Sequence, residues 1–119
     1  MKLAVAFMVS ALLVLGTVVP AAAQEMDGCA HDATIASLRD CVEHAIDMGH
    51  ITDGAIAQSL LVKLDRAQAA LDGGDTQAAI GLLTAFVRQV SAQADKTIVA
   101  EHAEHLIMHA THVIDALRA

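Results

Sequence analysis

The sequence is short of aromatic residues, of proline and of positive charge, and each shortage removes a class of protein. Across 119 residues there is no Trp or Tyr, and only two Phe and one Pro. Sandwich and barrel cores are built from β-branched and aromatic side chains; here Ala and Leu dominate, which argues against an all-β domain. Lys and Arg number 7 against 14 Asp and Glu, a net charge of −7 with His neutral. An acidic chain without rings to stack on bases is a poor partner for nucleic acid. Cations such as Lys63, Arg66, Arg88, Lys96 and Arg118 are dispersed, and the net charge repels an anionic lipid surface. A chain of this length has no room for a large multidomain enzyme.

What is present begins with a leader. Lys2 is followed by an apolar run from Leu3 to Val19, broken only by Ser10, Gly16 and Thr17. Pro20-Ala21-Ala22-Ala23-Gln24 supplies the small residues that a signal peptidase reads. Residues 1–23 are therefore expected to be a cleaved signal peptide, with cutting after Ala23 and a periplasmic or extracellular product. The run lies near the lower limit for a membrane span and no basic stop-transfer cluster follows it, so no stable membrane insertion is expected. The remaining segment, 24–119, reads as a single domain with a net charge of −8 and Phe86 as its one Phe, Tyr or Trp.

Export gives meaning to the two cysteines, Cys29 and Cys41. An even pair in an oxidising compartment forms a disulfide. In one continuous helix they would stand ~18 Å apart, whereas a disulfide holds its Cα atoms within ~6 Å. The segment bearing Cys29 must then fold back along a helix bearing Cys41. No CxxC spacing offers a redox or zinc alternative.

Apolar spacing of three and four residues predicts four helices. The first runs from about Asp32 to Met48 on Ile35, Leu38, Val42 and Ala45 or Ile46, and stops at Gly49. The second runs from about Asp53 to Leu71, capped by Thr52 or Asp53, on Ile56, Leu60, Leu64, Ala67 and Leu71. Asp72-Gly73-Gly74-Asp75 turns the chain, with Gly73 expected in the left-handed conformation and Asp75 as the next cap. The third helix spans about Thr76 to Ala94 on Ala79, Leu82, Leu83, Phe86 and Val90; the fourth starts near Ile98 to Ala100 and ends near Leu117 on Val99, Ala103, Leu106, Ala110, Val113 and Leu117. The short connections make neighbours antiparallel. The fold class is all-α, a compact antiparallel bundle of about four helices.

The pattern Gly54-Ala55-Ile56, Ser59-Leu60, Lys63-Leu64, Ala67, Leu71, Gly74-Asp75, Ala79, Leu83, Ala85-Phe86, Val90 and Gln93 resembles the FIMAH domain. Its closing run, Ile98, Ala103, Leu106-Ile107, Ala110 and Val113-Ile114, fits the same family. The resemblance covers about residues 51–114. It implies a small helical module of the kind that accompanies other domains in secreted bacterial proteins, hydrolases and cell-surface proteins among them. The matching positions are helix-core and turn residues, so the resemblance carries no catalytic residue. Ala94-Asp95 stands where a turn glycine is expected, which predicts an irregular connection there.

Four of the seven histidines fall on the last helix, at His102, His105, His109 and His112. At helical pitch they lie within an arc of about 80°, along one border of the apolar face. Neutral imidazoles at this spacing suit Zn, Ni or Cu, and His102, His105 and His109 are the candidate ligands. The same stripe has a plainer explanation, because a ring with polar nitrogens suits the boundary of an amphipathic helix. His31, His44 and His50 are expected on the surface.

Catalytic signatures are missing. Ser37, Ser59 and Ser91 sit inside helical patterns, and Gly73-Gly74 is followed by an acid rather than Lys-Ser/Thr. The reading is a secreted, non-enzymatic accessory module without a cofactor, acting on a protein partner. A periplasmic metal-binding or metal-sensing protein using the His stripe is the alternative.

Overall fold

Three of the four helices begin where a side chain takes the place of a missing backbone acceptor. The computed structural model describes residues 29–119; the leader and its expected cleavage site lie outside the described residues. Helix α1 (Ile35–Asp47) is capped by Thr34, whose hydroxyl accepts from the Ser37 N–H at 3.1 Å. Helix α2 (Gly54–Asp72) is capped by Asp53, which accepts from the N–H groups of Ala55 and Ile56. Asp75 does the same for α3 (Thr76–Gln93) through the Ala78 N–H. Helix α4 (Ala100–Arg118) has no side-chain cap, but Glu101 lies in its first turn, where a negative charge complements the helix dipole.

Two turns differ from the sequence expectation. Helix α1 starts three residues later than Asp32, because Thr34 captures the cap and Asp32 is drawn back toward Ser37. Between α2 and α3 the left-handed residue is Gly74, at φ 85°, while Gly73 stays at φ −84° and closes α2. The irregular connection expected at Ala94-Asp95 is present. Asp95 takes φ 64°, a conformation in which Asn and Asp are among the more tolerated non-glycine residues.

The helices form a ring in which α1 packs on α2, α2 on α3, α3 on α4, and α4 back on α1. Phe86, Leu38, Leu60, Leu64, Leu83, Ile98, Val42, Val90 and Val113 are fully buried at its centre. Ala67, Ala79, Ala103 and Ala110 are also buried to 0% exposure, which lets the helix axes approach while the larger side chains fill the space between. Ile80 joins the core although the sequence pattern passed it over, and Val99, expected inside, is 45% exposed. At one end the α1–α2 and α3–α4 connections pair with each other. Thr52 N–H donates to the Thr97 carbonyl at 2.8 Å and Val99 N–H donates to the His50 carbonyl at 3.0 Å, around an Ile51–Ile98 bridge.

The two cysteines are joined, with Cα atoms 5.2 Å apart. Residues 29–34 therefore fold back along α1, as the spacing required. Ser37 secures that return: its hydroxyl donates to the Ala30 carbonyl at 2.6 Å and accepts from the Asp32 N–H at 3.1 Å.

Candidate functional site

All seven histidines collect along the seam between α1, its leading segment and α4. His31, His105, His109 and His112 line a cleft of about 360 Å³ together with Met108. An adjoining cleft of about 300 Å³ adds His44 and His102, beside the disulfide. His50 completes the set from the end of α1, its ring stacked on that of His102 at 3.6 Å. Sequence spacing revealed four of these on one helix. His31 reaches the same seam because the disulfide folds the leading segment back, His50 because the paired connections hold it beside α4, and His44 because α1 itself packs on α4. Lone histidines on a different element give no periodic signal, so nothing in the sequence pattern could have joined the two groups.

The three candidate ligands of the last helix occupy different surroundings. His102 is half-buried against His50, with ring planes 20° apart. His105 is exposed, 6.2 Å from His102 between ring centres. His109 is buried, at 4% exposure, and its Nε2 lies 2.7 Å from the Asp32 carbonyl. Among the described residues, the group of three whose ligand atoms fall within 4.8 Å of one another is Cys29, His31 and Cys41. Two of those are tied in the disulfide and offer no thiolate.

The electrostatics of the seam keep its inner rings neutral. Burial pushes the His109 pKa below its usual value; the Asp32 carbonyl opposes this, and His31 and His112 add to it. His102 is lowered in the same way, by burial first and then by His50 and His105, against a raising contribution from Glu101. A neutral imidazole has one N–H and one bare nitrogen. In both rings Nδ1 is buried without a hydrogen-bond partner.

The opposite seam, between α2 and α3, is chemically quiet. Lys63 Nζ donates to Gln89 Oε1 at 2.8 Å and to Ser59 Oγ at 3.1 Å, and the Gln89 amide closes the triangle on Ser59. Each of the three side chains hydrogen-bonds the other two. Arg39 likewise bridges α1 and α2, pairing with Glu43 and with Asp65.

The FIMAH domain model matches residues 35–115, from the first turn of α1 almost to the end of α4. The chain belongs to the FIMAH domain family. The match takes in all four helices, including α1, and so reaches further toward the start than the pattern from residue 51. Cys29, His31 and Asp32 precede the matched range, whereas His44, His50 and the four histidines of α4 fall within it. No curated protein and no solved structure matches the chain.

Proposed function

We propose that this FIMAH protein is an exported, non-enzymatic accessory module that works by docking its α1–α4 side onto a basic, partly apolar surface of a partner protein. One observation carries the reading. The large apolar side chains left exposed among the described residues are Met48, Val99 and Met108, at 59%, 45% and 67%, and each borders the histidine seam. Met48 caps α1 two residues before His50, Val99 hydrogen-bonds His50, and Met108 lines the cleft with four imidazoles. Flexible thioethers adapt to irregular contacts and are over-used at binding surfaces. Glu101, Glu104 and Asp115 on α4, with Asp40 and Asp47 on α1, are exposed and give the helices flanking the seam an acidic character that favours a cationic partner.

Membership of a family met in secreted multidomain proteins supports export, as does the disulfide. No helix among the described residues is long and apolar enough to cross a membrane.

The test places a photo-cross-linking amino acid at position 108 or 99 and, as a control, at the exposed Gln77 of α3, in the producing cell. A discrete adduct at 108 and 99, weakened by salt and lacking at 77, is the expected result. No adduct at the seam, or the same adducts at all three positions, would remove the proposal.

A further inference from the structure

We propose that the cleft holding His31, His109 and His112 binds a late first-row transition-metal ion, with His105 and Met108 at its rim. The proposal starts from the tautomer of His109. The Asp32 carbonyl has no proton to give, so the 2.7 Å contact requires the hydrogen to sit on His109 Nε2. In the neutral ring Nδ1 is then a bare lone pair, and it is buried with no donor to satisfy it. This is how metal-ligating histidines are held: one ring N–H goes to a backbone carbonyl, which fixes the ring, and the other nitrogen is left for the ion. Leaving such a nitrogen buried without a partner is costly; His102 has one too, but its ring is stacked face to face on His50, whereas His109 faces His31 edge-on.

The other ligands stand around this nitrogen without converging in the cleft. Among the described residues, His31, His109 and His112 do not form a group whose ligand atoms fall within 4.8 Å of one another, and His31 Nε2 lies 3.9 Å from Cys29 Sγ. His31 and His112 must therefore turn inward to share one ion. The His31 ring lies 5.3 Å from that of His109 with the planes 72° apart. Two imidazoles sharing one tetrahedral ion have ring centres about 5 Å apart, given metal–nitrogen bonds of ~2.1 Å. His112 stands one turn along α4 and lines the same cleft as His31 and His109. His31, His112, His105 and Met108 are all exposed, so the rim of the cleft can move to admit an ion to the buried Nδ1. Three imidazoles favour Cu²⁺, Ni²⁺ and Zn²⁺, with Cu²⁺ the tightest by the usual order of affinities. The far end of the seam is different: His50 and His102 present ring faces to each other at 3.6 Å, so their nitrogens are not directed at a common point.

The experiment uses tag-free, disulfide-intact protein titrated calorimetrically with Cu²⁺, Zn²⁺ and Ni²⁺. His31→Gln and His112→Gln, both at exposed positions, should keep the helical circular dichroism and each weaken binding by more than about tenfold. His102→Gln should leave the affinity unchanged. Zn²⁺ should move the ¹⁵N resonance of His109 Nδ1 while the proton stays on Nε2, a readout that does not depend on any substitution. Unchanged affinity in both His31→Gln and His112→Gln, an unmoved Nδ1 resonance at saturating Zn²⁺, or loss of binding in His102→Gln would each overturn the assignment.

Discussion

The two seams that flank the bundle are made of different material. Between α2 and α3, polar groups are few, and Lys63, Gln89 and Ser59 hydrogen-bond one another. Between α1 and α4, seven imidazoles gather, two buried nitrogens have no partner, and a disulfide is needed to keep the leading segment in place. A seam that only holds helices together has no reason to carry unsatisfied nitrogen. The contrast separates the part of this molecule that only builds the fold from the part that we propose binds.

The sharpest way to break the contrast is from the centre. Phe86 is fully buried on α3, and Phe86→Ala should cost ~3–5 kcal/mol, enough to unfold both seams together in one cooperative transition. Denaturant unfolding followed by far-ultraviolet circular dichroism measures it; a loss confined to one seam would mean that the ring is not a single cooperative unit. Removing the staple should be more selective. Cys29→Ser with Cys41→Ser should lower stability by ~2–3 kcal/mol. Hydrogen exchange should rise first at residues 29–34 and along α1 facing α4, with the α2–α3 amides changed only through the global loss. Equal acceleration in all four helices would show that the disulfide serves the whole bundle.

Acid should act on the seam more gently. His102 and His109 have folded-state pKa values below the ordinary 6.5, so below that pH the unfolded chain binds more protons than the folded one. The stability that comes from keeping them neutral is complete above pH 6.5 and is lost as the pH falls through the folded-state values. The melting temperature should therefore decline below pH 6.5, and His109→Leu should flatten that decline. A profile in this variant identical to that of the parent would remove His109 as its source.

Most of the fold was legible because helices advertise themselves by period. Leu60, Leu64 and Ala67 on α2, or Leu83, Phe86 and Val90 on α3, repeat at the spacing that one buried face demands, and all are buried. The turn between those helices was placed correctly but assigned to Gly73, since two adjacent glycines leave the choice of left-handed residue to the hydrogen bonds around them. Val99 looked like a core position by spacing. It lies outside because Val99 caps α4 while its N–H is engaged by His50, which fixes the backbone before the helical face begins. The site was legible only on α4. His105, His109 and His112 share a helix face, but that His109 would be buried against Asp32 depended on a contact across 77 residues. No local pattern encodes such a pairing.

The pairing of the two connections at one end has a kinetic consequence. Thr52 meets Thr97 and His50 meets Val99 only after α2 and α3 have brought the distant parts of the chain around. Contacts of large sequence separation carry the entropy of closing long loops and form late. The α2–α3 hairpin, closed by three residues between helices, has a short loop and a head start. By this account α1 and α4 come together last, and the cleft between them comes into being at the final step of folding. Before that step the chain already contains every histidine of the cleft, but His109 has no Asp32 carbonyl to fix its proton.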